Sequence, residues 1–435
     1  MRNSLIIVWS LLLIHTTVSG QVTLSLKEAY ELALMHNFSI QIASNELEIA
    51  KKNNVIGEAG MLPNINGVIN QDNQVIDTKQ KFLSGAENNR NGARSNSLNA
   101  GVELNWTLFN GMKMFATKKR LAELEAMGSL RLKQQIELTL SRVSRAYLDA
   151  LLAKEQWFIA TQLLKIGEKR LEVAKAKFAA GKSAKSEVLN VQVNLNADQA
   201  NARKLETLYK NNKLQLLQLL GLSSSFVFEI SDAWVSTKTI SFEAFKESAL
   251  QNNIGIQLSK LNKEVSLSRI NELKGDRYPS VQFRTGYNYT QQESEAGFLQ
   301  SSNNKGLHYG FGVNFPVFNG FDLHRKIDIA RINQRSAELY FKDSVQKLEI
   351  AVSQAYENYL SHLALYQFED TNVNLSKENY DLARDQQENG LLSINDLRMA
   401  EVNYMQSMQR KFQAAYEAKL SEIELERLSG KLLGK

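Results

Sequence analysis

The sequence predicts a mainly α-helical chain with a transmembrane β-barrel part, built as a tandem-duplicated protomer that supplies four strands. Three observations predict it. One order of segments occurs twice, only three prolines interrupt the chain, and four runs alternate apolar with polar residues.

The first run along the chain is an address. Arg2 is followed by an almost wholly apolar stretch, Leu5 to Ile14, and by the small residues Val18-Ser19-Gly20. That pattern predicts a secretory signal peptide over 1–20, with cleavage after Gly20. The stretch is too short to cross a bilayer as a helix. No later run approaches that length in apolar residues, so any membrane contact is expected to come from strands. The chain has no cysteine, which removes both disulfides and the usual lipid attachment point near a leader.

The repeat comes next. Leu24 to Ile65 aligns with Ile240 to Val281 at a constant offset of 216, with matches at Ser25/Ser241, Glu31/Glu247, Asn37/Asn253 and Pro63/Pro279. From Phe109 the offset is 209. Phe109-Asn110-Gly111 matches Phe318-Asn319-Gly320, Ala146-Tyr147 matches Ala355-Tyr356, Gly181 matches Gly390, and Gly221 matches Gly430. A single register held over a hundred residues predicts a tandem duplication. Repeat 1 is expected over 21–239, with helices at about 25–61, a hairpin at 62–110, a long helix at 112–179, a return helix at 184–221 and a linker at 222–239. Repeat 2 is expected over 240–435, with helices at about 241–278, a hairpin at 279–319, a long helix at 321–388, a return helix at 393–430 and a tail.

The three prolines, Pro63, Pro279 and Pro316, all fall at expected strand ends. The long helices can therefore run uninterrupted. Each is rich in Leu, Ala, Lys, Glu and Gln at three- and four-residue spacing. About 68 residues rising 1.5 Å each would span roughly 100 Å. Gly181 and Gly390 break them, and the return helices carry a coiled-coil-like spacing in which Asp198 and Asn212 are polar interruptions. Helix 38–60 stacked end to end on the return helix would match the long helix in length.

The strands alternate. Leu98, Ala100, Val102, Leu104, Trp106 and Leu108 interleave with Asn, Gly, Glu and Thr. Val281 to Tyr289 and Leu307 to Val317 do the same, and Pro63 to Asn70 does so more weakly. Polar tips are expected at 77–96 and 291–305. Two faces of this kind suit a barrel wall, apolar toward lipid and polar toward a wet bore. A small sheet on a helical scaffold is the competing reading. Unpaired backbone in lipid is too unfavourable to leave open, and single-chain barrels start at eight strands. Four strands therefore require copies to share one barrel, two giving eight strands and three giving twelve.

The chain's 435 residues carry a net charge of +6, with basic and acidic residues mixed along the whole length. No basic stripe points to nucleic acid. Gly181-Lys182-Ser183 resembles a phosphate loop, yet Ala176 stands where glycine is required. The five histidines, His15, His36, His308, His324 and His362, show no metal spacing. No arrangement for nucleophilic catalysis occurs. No enzyme activity, cofactor or metal is expected.

The duplicated plan, the hairpin ends Trp106-Thr-Leu-Phe-Asn-Gly111 and Phe315-Pro-Val-Phe-Asn-Gly320, and the tips Gly181-Lys-Ser-Ala-Lys-Ser-Glu187 and Gly390-Leu-Leu-Ser-Ile-Asn-Asp396 together resemble the TolC-type outer-membrane efflux factor family. The resemblance covers essentially all of the chain after the leader. It implies a homotrimer with a twelve-stranded barrel in the outer membrane of a Gram-negative cell, set on a long helical tunnel across the periplasm. It implies a passive exit duct served by a periplasmic adaptor (membrane fusion protein) and an inner-membrane transporter. It places the periplasmic gate at Glu187 and Asp396, adaptor docking and tip turns at Gly181 and Gly390, and strand–helix junctions at Gly111, Gly320, Pro63, Pro279 and Pro316. Acids in a first helical turn are also favoured by the helix dipole alone. Met399 and Asn190 stand where some members carry a second carboxylate, and Lys182 and Lys185 lie at the first tip. A non-conducting envelope spacer is the alternative, and it leaves the membrane-length strands without a purpose.

Overall fold

The computed structural model describes residues 22–231, 241–296 and 299–434. The expected signal peptide and most of the second half of the linker lie outside the described residues. In each half two short helices lead to a hairpin, then to a long helix, then to a return helix.

Helix α1 spans Leu26–His36. It starts at a capping box in which the Ser25 side chain accepts from the Glu28 amide while Glu28 accepts from the Ser25 amide. Helix α2, Phe38–Asn53, follows after one extended residue, Asn37. Asn37 caps α2 through Oδ1, and its Nδ2 donates to the Leu219 carbonyl at 2.7 Å. Asn253 does the same between α5, Phe242–Asn252, and α6, Ile254–Gly275, donating to the Leu428 carbonyl at 3.2 Å. Leu219 and Leu428 lie in the last turns of the return helices α4, Lys185–Leu220, and α8, Ile394–Leu428. Each return helix thus abuts the start of a short one. The glycine that ends it, Gly221 or Gly430, is in the left-handed region at φ +69, and a side chain on Gly221 would collide with the His36 carbonyl. This joint stacks two helices beside an unbroken third: α3, Lys113–Ala179, or α7, Asp322–Glu388, each of 67 residues.

One expectation is corrected here. Helix α2 stops at Asn53, not near Gly60. Asn54 ends it, with its carbonyl taken by Lys118 Nζ at 3.1 Å and its Nδ2 donating to Glu125 Oε2 at 2.5 Å. Val55-Ile56-Gly57 then favours the tight turn that closes at Gly60, φ +76.

The 222–239 segment is more than a linker. Strand β4, Phe228–Ile230, pairs in parallel with β1, Val22–Leu24. The pair lies against the middle of α3, where Tyr147 Oη donates to the Leu24 carbonyl at 3.0 Å and Lys154 Nζ to the Ile230 carbonyl at 2.6 Å. Leu24, Phe228, Ile230, Val143, Tyr147, Leu216 and Leu220 form the main apolar core. This is a belt at mid-height, because so thin a fold has no central core.

The four remaining strands are β2, Asn64–Lys81; β3, Glu87–Asn110; β5, Ser280–Ser294; and β6, Ser301–Asn314. They form one antiparallel sheet in the order β2-β3-β5-β6. They run further than expected: β2 continues to Lys81 and β3 begins at Glu87, while β5 continues to Ser294 and β6 begins at Ser301. The side-chain pattern fades there, but backbone pairing continues where both faces are polar. A turn at Gly85, φ +83, closes the first hairpin. A bulge between Thr107 and Phe109 drops Leu108 out of the alternation and sets Phe109 opposite Val281.

Candidate functional site

Register sorts the sheet into two faces. Ile65 lies opposite Leu104, Leu104 opposite Thr285, and Thr285 opposite Tyr309. The next row up that face is Gly67, Val102, Tyr287 and Leu307, and the neighbouring row, on the other face, is Asn66, Glu103, Gly286 and His308. The pleat puts alternate rows on opposite sides. One side is therefore Ile, Leu, Val, Tyr and Phe, and the other is Asn, Glu, Arg, Gly and His. The apolar side is uncovered: Tyr309 is 75% exposed and Phe311 71%. From Val281 to Tyr289 the band runs nine residues, about 30 Å along the strand, or about 21 Å high at a ~45° tilt. That is close to the ~25 Å apolar band of outer-membrane strands. Strands β2 and β6 each keep one unpaired edge.

The junctions convert strand to helix within two residues. Gly111 and Met112 have φ +68 and +65, and Gly320 and Phe321 have +63 and +62. Pro63 and Pro279 immediately precede β2 and β5, and Pro316 follows β6. The two junctions differ in their surroundings. A side chain on Gly111 would strike the Gly275 carbonyl and Tyr278, while Gly320 has open space around it. Gly111→Ala is therefore expected to destabilise the fold by more than about 1 kcal/mol, through φ as well as collision. Loss of folded protein on a heat-modifiability gel checks this, and a wild-type melting profile would contradict it.

At the far end, Gly181 and Gly390 take φ +71 and +75. Each sits in a helix-ending turn in which the next amide reaches back five residues: Lys182 N to Lys177 O at 2.9 Å and Leu391 N to Gln386 O at 2.9 Å. Glu187 and Asp396 lie in the first turns of α4 and α8. Ser183 Oγ donates to Glu187 Oε2 at 2.7 Å, and Ser393 Oγ to Asp396 Oδ2 at 2.6 Å. The two carboxylates are not brought together within one chain. Glu187 lines a cleft of about 370 Å³ with Arg170, Asn190, Ser393 and Arg398, whereas Asp396 is exposed on the surface.

Above that cleft lies a cluster that sequence reasoning missed. Arg170 of α3 donates to Glu401 of α8, and Arg398 of α8 donates to Asp198 of α4 at 2.9 Å. Arg398 also stands 3.7 Å from Glu401. Glu401 is fully buried, and burial raises its carboxyl pKa while the two arginines pull it back. Two cations and two anions thus tie three helices of one chain together near its tip. The one sequence signal was Asp198, a charge on an otherwise apolar seam. The other polar interruption, Asn212, donates to the Asp149 carbonyl at 3.0 Å.

A sheet with a bare lipid-type face, carried on helices about 100 Å long, defines a protein that meets a membrane through strands and extends a long helical part away from it. The sequence profile of the family described as outer membrane efflux protein matches residues 29–222 and 246–431. The chain belongs to that family. It resides in the outer membrane of a Gram-negative cell and is not an enzyme. It is 26% identical over 182 residues to the outer membrane protein TolC of Vibrio cholerae, covering 40% of each chain. It is 24% identical over 311 residues to the alkaline protease secretion protein AprF of Pseudomonas aeruginosa, covering 68% of this chain and 62% of that one. The matches thus span less than two thirds of either relative. Among solved structures, the outer membrane protein VceC from Vibrio cholerae superposes with a TM-score of 0.74 at 14% identity, covering 93% of this chain and 96% of that one.

Proposed function

We propose that three copies of this chain close one twelve-stranded barrel over a helical tunnel. The assembly is a passive duct that completes a tripartite efflux or type I secretion system. The observation that carries the reading is the four-stranded sheet with two unpaired edges and an exposed apolar face. Lipid does not tolerate such edges. Two copies would give eight strands, whose interior side chains fill, while twelve leave a bore. The recurring element order and the constant offsets support an origin by duplication, so that three copies present six similar units.

In this arrangement the periplasmic end meets an adaptor, with Gly181 and Gly390 shaping the docking turns, and an inner-membrane transporter supplies the energy. AprF is named for alkaline protease secretion, and the family for efflux. Protein and small-molecule cargo both fall within the proposal. Glu187 and Asp396 are the proposed gate carboxylates, Asp396 because three exposed copies would face one axis and attract cations. The test is single-channel conductance of the purified protein in a planar bilayer. The expected result is small, cation-selective pores blocked by divalent ions, with block weakened severalfold in Asp396→Asn. Unchanged block would remove Asp396 from the gate, and the absence of conductance from folded protein would refute the duct.

A further inference from the structure

The polar face of the sheet carries little charge. From the Thr107–Gln282 row up to the Asn99–Thr290 row, level with the apolar band behind it, that face is mostly asparagine, glutamine, threonine and glycine. It holds three ionisable side chains among the described residues: Glu103 on β3, Arg284 on β5 and His308 on β6. They are clustered. Glu103 and His308 share one row and flank Gly286, about 10 Å apart across two strand spacings. Arg284 stands one row nearer the helices, diagonal to Glu103 and within reach of a long side chain. Its Nη2 donates to Gln282 Oε1 at 2.9 Å, on the side away from Glu103. His308 stands in a clearing. A Cβ on Gly286 would lie 2.7 Å from His308 Cε1, so the imidazole lies across the bare backbone of β5. Gly306 and Gly310, its neighbours on the same face of β6, have nothing within 4 Å of where a side chain would begin. The histidine itself is exposed. Strand β2, whose free edge must meet β6 in a closed barrel, offers Asn64, Asn66, Val68 and Asn70 on this face. The next acid up that strand, Asp72, is about 20 Å beyond Asn66, and Lys305 of β6 lies on the opposite face.

We propose that Glu103, Arg284 and His308 form a charged belt inside the barrel, and that protonation of His308 sets which ions the belt admits. This rests on the twelve-stranded barrel proposed above and adds a second filter, separate from the carboxylates at the periplasmic tip. Twelve strands about 4.8 Å apart and tilted about 45° enclose a bore of radius about 13 Å before side chains narrow it. Screening acts over about 8 Å at physiological salt and about 30 Å at 10 mM, so wall charges reach the axis when salt is low. In each copy the Glu103 carboxylate and the Arg284 guanidinium cancel. Histidine is the side chain that ordinarily changes charge between about pH 5 and pH 8. A neutral His308 leaves the belt balanced. A protonated one adds a positive charge per copy, and the belt then prefers anions. The glycines matter because they leave the wall bare around the ring, so no neighbouring side chain stands between that charge and a passing ion. The belt lies in the barrel, about 100 Å or more from the tip carboxylates, so it answers to the medium outside the cell.

The test is the reversal potential of single channels in a planar bilayer under a potassium chloride gradient at about 10 mM. The charged helices cannot follow the strands through lipid, so protein added to one chamber inserts with its outer mouth toward the other. Acidifying that other chamber from about pH 8 to about pH 5 is expected to raise the anion-to-cation permeability ratio at least about twofold. In about 1 M salt, where screening acts over about 3 Å, the change should vanish. His308→Gln is expected to lose most of the change, and His308→Lys to show the acid-side ratio already at the higher pH. Equal responses from the wild type and His308→Gln would overturn the belt while leaving the duct intact. So would an equal response when only the periplasmic chamber is acidified. Folded protein that does not conduct would overturn the duct and the belt with it.

Discussion

Arg170→Met is expected to weaken the periplasmic third of the helices by about 3–5 kcal/mol, because it strands a buried carboxylate. Glu401 then keeps only Arg398, at 3.7 Å and shared with Asp198. Hydrogen exchange read on α3 and α8 near the cluster should accelerate by two to three orders of magnitude, while the mid-height belt stays protected. The sign of the pH dependence is fixed by Glu401. Burial already raises its folded pKa above the unfolded value, and losing Arg170 raises it further. Such a group stabilises the fold below its unfolded pKa, and that contribution is lost as pH rises through the folded pKa. The defect should therefore be largest in mildly alkaline buffer and shrink on acidification. Arg170→Met/Glu401→Leu should recover most of the loss, since it leaves the Arg398–Asp198 pair balanced. If the single variant exchanges like the wild type at every pH, the cluster is not what ties these helices.

The second large effect belongs to the sheet. Leu104→Arg places a cation in the middle row of the apolar band, level with Ile65, Thr285 and Tyr309. A cation facing lipid at mid-depth costs about 2–4 kcal/mol. Glu103→Arg, one residue away on the polar face, should change the folding midpoint little and act on ion selectivity instead. Urea titration of protein refolded into phospholipid vesicles measures both. Equal destabilisation by the two variants would mean that the faces are assigned the wrong way round.

Much of this architecture was legible in the residues, because helix and strand periods are local signals. Leu98 to Trp106 and Leu307 to Val313 announce their faces through strict alternation. The 67-residue helices follow from the absence of proline between Pro63 and Pro279 and after Pro316. What was hidden depends on partners distant in sequence. The β1–β4 pair joins two three-residue strands some two hundred residues apart, and neither Val22-Thr-Leu nor Phe228-Glu-Ile has the length to carry a pattern. The hairpin tips were drawn too long because polar residues on both faces look like loop even while their backbones stay paired. Arg170 and Glu401 were invisible because charges on a helix are ordinarily solvated, and only the packing of α8 on α3 buries these. Glu187 and Asp396 were named as gate carboxylates on the family resemblance, and within one chain each is a first-turn acid that accepts from a serine, Ser183 or Ser393.

The joints stapled by Asn37 and Asn253 bear on mechanics. A slender column fails by buckling near its middle, and here two of every four rods are spliced close to that height. The splices are backed by continuous neighbours, α3 and α7, and the first is also wrapped by the β1–β4 belt. An axial push or pull at the periplasmic end, as from a partner that docks and turns over, would be carried to the outer membrane by the unspliced rods. The second splice, around Asn253, is backed by the apolar cluster of Phe245, Ala249, Val352, Tyr359, Leu425 and Leu428.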